Sequence, residues 1–144
     1  CIRDSAAAIH LTVDKCAQLG YLDDWQFAVT VARSHRRHGR SQVVIRQHLR
    51  QHALREDIIA HALVEADENS AHGDLQAAIR FAQRRRLGPF ARRNSAHYQR
   101  LDSHQRRMHD LRAMTRAGFS IVISQQVLEH DNPDTIDDLL CRSE

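Results

Sequence analysis

Leu49, Leu54, Ile58 and Leu63 are followed 65 residues later by Met114, Phe119, Ile123 and Leu128. Each set falls on the same pattern, a helix, a short apolar turn and a second helix. This faint internal repeat constrains the fold strongly. One copy is too small to bury much apolar surface alone, so neighbouring copies must stack. Two prolines and five glycines are the only strong punctuation in 144 residues, and aromatic residues make up 5%. A core of Leu, Ile, Val and Ala carried on helices follows.

Start and stop signals divide the chain further. Ile9, Val13, Cys16 and Leu19 predict a helix over 5–19, closed by Gly20. Asp23 is placed to cap a second helix running to about His38, with Phe27, Ala28 and Val31 inward and Gly39 as its stop. Ser41 predicts the cap of a third helix, and Glu56 to Ala66 a fourth with Ile58, Ile59, Ala62 and Leu63 as its stripe. Asp74 to Leu87 reads as a fifth, broken by Gly88-Pro89-Phe90. A sixth helix is expected from Asp102 to Ala117, ended by Gly118, and Ser120 predicts the cap of a seventh running to about His130. The expected fold is all-α, with tandem three-helix repeats in an elongated, curved array. Residues 1–20 read as the last helix of a truncated first repeat, 21–68 as a second repeat and 69–130 as a third. Six acids between Glu129 and Glu144 make 131–144 an acidic tail expected to be flexible.

Charge placement narrows the function. The net charge is only +3, yet 20 of the 21 basic residues are Arg, whose planar fork grips carboxylate or phosphate with two bonds. Seven arginines, Arg33, Arg36, Arg37, Arg40, Arg46, Arg50 and Arg55, fall in a stretch without one acid between Asp24 and Glu56. A second acid-free stretch holds Arg80, Arg84, Arg85, Arg86, Arg92, Arg93 and Arg100. Arginines four apart on a helix repel by roughly 0.2–0.5 kcal/mol per pair, which an anionic partner would offset. A solvated surface explains the same spacing about as well. The helix after the Ser41-capped one, "EDIIAHALVEA", is acidic and apolar, which disfavours a sequence-reading helix–turn–helix.

Catalytic signals are weak. No glycine-rich phosphate loop or nucleophile elbow is present. Asp23-Asp24 reads as a capping pair, and His48 and His52 have ligand spacing without a glutamate between them. No enzyme activity, cofactor or metal is expected. Cys1, Cys16 and Cys141 are far apart, which suggests reduced thiols, and no apolar run is long enough to span a membrane. A cytoplasmic monomer is expected.

The stretch "GYLDDWQFAVTVARSHRRHGRSQVVIRQHLRQHALREDIIAHAL" resembles the central repeat of the RecX family, regulators of the RecA recombinase. "AAIRFAQRRRLGPF" and "RRMHDLRAMTRAGFSIVISQQVL" resemble that family's last repeat, ending in its turn at Arg116 to Phe119. Ser41-Gln42 departs from the usual Gly-Pro, and Ala53 from the usual Gly, which requires Ala53 to turn left-handed at some strain or the turn to change. The resemblance implies a binding protein that enters the groove of a RecA filament and restrains its ATPase, strand-exchange and coprotease activities. DNA phosphate, single-stranded or duplex, is a further contact the charge allows. The residues assigned to RecA or DNA are Arg33, Arg36, Arg37, Arg40, Arg46, Arg50, Arg84, Arg85, Arg86, Arg112 and Arg116. The alternative is a non-specific DNA-binding helical protein acting without RecA.

Overall fold

The computed structural model describes residues 24–67, 72–92, 99–130 and Ile136; the expected helix over 5–19, the cap Asp23 and most of the acidic tail lie outside them. Helices and one 3-10 turn make up the regular structure of the described residues. We number them α1 (24–37), α2 (Gln42–Gln51), α3 (Glu56–Ala66), α4 (Gly73–Arg85), α5 (Ser103–Arg116) and α6 (Ile121–Leu128), with the 3-10 turn at Gly88–Phe90 between α4 and α5.

The caps form where short polar side chains precede apolar periodicity. Ser41 Oγ accepts from Val44 N at 3.4 Å, and Ser120 Oγ from Ile123 N at 3.2 Å. Asp102 and Gln105 make a reciprocal capping box at the start of α5. The turn between α2 and α3 is left-handed at Ala53, φ 56°, and the matching turn between α5 and α6 is left-handed at Gly118, φ 85°. The repeat thus keeps one backbone path and fills it with different residues. Glycine takes that conformation freely, while alanine pays for its Cβ.

Two clusters of buried apolar residues form, one per helical triplet. The first joins Ala28, Val29 and Ala32 of α1 to Ile45, Leu49, Ile58, Ile59, Ala62 and Leu63. Each of its large aliphatic side chains, buried from water, stabilises by roughly 1.5–3 kcal/mol before entropy is counted. The second joins Leu75, Ala77, Ala78, Ile79 and Ala82 of α4 to Leu87, Met114, Phe119, Val127 and Ile136. One expectation is corrected here. Phe27 is 40% exposed and packs edge-on against His52 at the rim, because the small Ala28 and Ala32 are what let α2 and α3 approach α1. Ile136, the one described residue of the expected tail, is 1% exposed in the second cluster.

The seam between the clusters is polar. Arg36, at the end of α1, is 5% exposed. Its Nη2 donates to Asp67 Oδ2 at 2.6 Å, and its Nη1 pairs with Asp74 Oδ1 in the first turn of α4 and donates to Arg40 O. Asp74 Oδ1 also accepts from Gln42 N at 2.8 Å. Ser41 Oγ, besides capping α2, donates to Ala117 O at 2.7 Å. Gly39, φ 67°, lets the turn after α1 come against the backbone of α4: a Cβ there would stand 2.9 Å from Phe81 N and 3.0 Å from Ala77 O.

Two outcomes test this account. Ala53→Gly removes the left-handed penalty at an exposed site and raises stability by about 1 kcal/mol, read as a shift of the urea midpoint without change of slope. Arg36→Met leaves two carboxylates without their cation. The carboxylates are about a quarter exposed, so the loss falls below that of a fully buried pair, at about 2–3 kcal/mol by the same measurement.

Candidate cationic interface

Stretches without acids in the sequence are not free of acids in space. Glu65 reaches Arg33 at 3.0 Å, and Asp57 reaches Arg55 at 2.8 Å. Glu56, opening α3, takes Arg46 and Arg50 of α2, each at 3.0 Å. The Arg50 hydrogen bond, together with the charges of Arg50 and Arg46, holds the Glu56 carboxyl below its ordinary range. Arg36 was expected to face a partner beside Arg33 and Arg37; the structure instead buries its guanidinium in the seam.

Arg37 and Arg40 remain exposed, and among the described residues no carboxylate pairs with either. The second arginine-rich stretch comes to meet them. Arg80 Nη1 donates to Arg36 O at 3.3 Å, and Arg84 Nη1 donates to His38 O at 2.9 Å. These carbonyls belong to the end of α1 and the turn after it, where a helix leaves acceptors unpaired and its dipole favours cations. A guanidinium has five N–H donors, so one such bond leaves most of its capacity free. Exposed arginines of both triplets thus gather at the seam as a ridge, Arg37 and Arg40 next to those carbonyls in the chain and Arg80 and Arg84 reaching them from α4. Arg80 was not among the residues assigned from the sequence, although its spacing of four from Arg84 already put both on one face.

The other assigned residues lie apart from this ridge or beside it. Arg85 sits 5.9 Å over the Phe81 ring, a cation–π distance. Arg86 is exposed and turns left-handed, φ 57°, after α4. Arg112 and Arg116 are exposed on α5.

Beside the ridge runs a row of rings that the sequence signalled only in part. His35 of α1 lies 4.7 Å from His48, and His48 lies 5.0 Å from His52, between ring centroids. The His48–His52 spacing was legible, but His35 joins them only through the packing of α1 on α2. Among the described residues no group of His, Cys, Asp and Glu is arranged to hold a metal ion. Burial, and then the charges of His48, Arg40 and His38, lower the pKa of His35 from its ordinary 6.5. Its Nδ1 is buried without a hydrogen-bond partner among the described residues.

No helix among the described residues is long and apolar enough to cross a membrane. Comparison with known proteins gives two matches. The family described as RecX, second three-helix domain, matches residues 23–63, which span α1, α2 and most of α3. The chain is 32% identical over 130 residues to the regulatory protein RecX of Myxococcus xanthus (strain DK1622), covering 90% of this chain and 65% of that relative. The chain therefore spans about two thirds or less of that relative's length. No solved structure matches it.

The histidine row makes stability depend on pH. Unfolded His35 binds a proton as the pH falls through about 6.5, while the folded protein resists that proton until lower pH. The unfolded state then holds more protons, so this contribution is complete above that value and is lost beneath it. His35→Gln is expected to flatten the decline of stability between pH 7 and about 5, measured by denaturant titration at each pH.

Proposed function

The chain belongs to the RecX family, and on that premise we propose that it regulates homologous recombination by binding filaments of RecA on single-stranded DNA. In this reading it acts by occupancy. It restrains ATP hydrolysis, strand exchange and coprotease activity without catalysing a reaction of its own. The observation that carries the reading is the ridge of Arg37, Arg40, Arg80 and Arg84. It crosses the seam between two helical triplets, so an anionic surface that meets it must span both. A filament of protein on DNA offers such a surface, repeated along its length, with carboxylates on the protein and phosphates on the strand.

The ridge arginines are suitable for testing because none of their side chains is buried. Arg36 is unsuitable, since its loss would disturb the seam itself. The experiment is a titration of this chain into DNA-dependent ATP hydrolysis by RecA at low salt. The expected result is progressive inhibition, with Arg37→Ala combined with Arg40→Ala needing roughly tenfold more protein, since each lost charge-assisted contact weakens binding by about 1 kcal/mol or more. An unchanged hydrolysis rate at excess protein rejects the reading. Tight binding to bare duplex, with a log–log salt slope of about −0.9 per phosphate neutralised and no effect on RecA, supports an independent DNA-binding protein instead.

A further inference from the structure

Helix α5 has one fully buried side chain, Met114; Ala113 packs beside it and Asp110 accepts from Gly88 N. Away from it, His104, Met108, Arg112 and Arg116 help line an open concavity of about 430 Å³, and no carboxylate is among its described lining residues. Arg112 and Arg116 stand one turn apart, both exposed, and among the described residues neither makes a side-chain hydrogen bond or ion pair. At the Arg116 end, Val43 lies close to Gly118, and Ile121 and Val122 open the next helix. Val43, Ile121 and Val122 are 60%, 58% and 65% exposed.

The repeat shows why this surface needs an explanation. The positions in the first triplet that match Ile121 and Val122 are Glu56 and Asp57, the acids a helix favours in its first turn. There they are engaged by Arg46, Arg50 and Arg55. In the second triplet two β-branched apolar residues replace them and face water, while Arg112 and Arg116 on the preceding helix make no ion pair among the described residues. Helix capping does not favour that exchange, and neither does core packing.

We propose that the outer face of α5, continued by Ile121 and Val122, docks an acidic segment of a protein partner that carries an aliphatic side chain between Asp or Glu residues. Arg112 and Arg116 grip its carboxylates in fork geometry, and Met108, Ile121 and Val122 receive the aliphatic anchor. A phosphodiester strand matches the arginines but offers no aliphatic group for the apolar part, so the surface fits a peptide better. This surface shares no residue with the ridge, and its test needs neither RecA nor DNA.

The experiment measures fluorescence anisotropy of a labelled synthetic peptide alternating Glu and Leu, titrated with the full chain at low salt. Binding is expected. Arg112→Glu with Arg116→Glu should weaken it roughly tenfold or more, since each substitution both removes an attraction and adds a repulsion. Ile121→Ser with Val122→Ser should weaken the Leu peptide but leave a Glu–Gly control peptide unchanged. Arg37→Ala with Arg40→Ala should leave both unchanged, and circular dichroism checks that each variant keeps its helices. The proposal is overturned if the Leu peptide does not bind. It is also overturned if the Leu and Gly peptides bind equally well, or if single-stranded oligothymidine binds this face more tightly than the Leu peptide does.

Discussion

The ion pairs of Arg36 with Asp67 and Asp74 hold the arrangement on which the other features depend. A nearly buried guanidinium is costly to desolvate, and its carboxylates restore what water gave only when the geometry is good. Here the geometry is set by backbone on both sides. Asp67 follows α3 and Asp74 opens α4, so one side chain from α1 ties together the end of its own triplet and the start of the next. Ser41 and Gln42 reinforce it from the neighbouring turn. Those two residues stand where the family usually has Gly-Pro. Proline has no N–H to give Asp74, and glycine has no hydroxyl to give Ala117. The departure therefore supplies two hydrogen bonds of the seam.

The seam also decides which arginines remain available. Acids of α3 engage Arg33, Arg46, Arg50 and Arg55, and Arg36 is drawn inside. At the seam, what is left exposed is cation from the end of α1 and from α4, brought together by Gly39 and by bonds from Arg80 and Arg84 to carbonyls of the α1 end. The ridge is thus a by-product of how one helix end is satisfied by the next triplet. Its four charges would otherwise disperse.

Local chemistry made much of the fold legible. Ser41 and Ser120 cap the helices expected of them, because a cap depends on residues three positions away. Ala53 takes the left-handed of the two alternatives that its departure from glycine left open. The apolar stripes of α2, α3 and α4 were also legible from their spacing. Phe27 was misread because its size suggested burial, whereas small alanines on α1 control how closely the neighbouring helices approach. The site was less legible. An ion pair between residues about thirty positions apart leaves no local pattern, so Arg36 and Arg37 look alike in sequence and differ entirely in place. The meeting of Arg80 with the end of α1 is equally non-local, as is the addition of His35 to the pair His48 and His52.

The separation of the two apolar clusters has a mechanical consequence. Apolar surfaces attract without regard to direction, and a joint made of them can slip while losing little. The joint between these triplets is made of short polar bonds, each with a preferred angle. It resists twisting and sliding more than its small size would suggest. It should also yield abruptly, since turning one triplet far enough to lengthen the bonds of Arg36 would let water reach Asp67 and Asp74 without opening either core. The two clusters are therefore joined by directional contacts whose loss would wet Asp67 and Asp74 before either core opened.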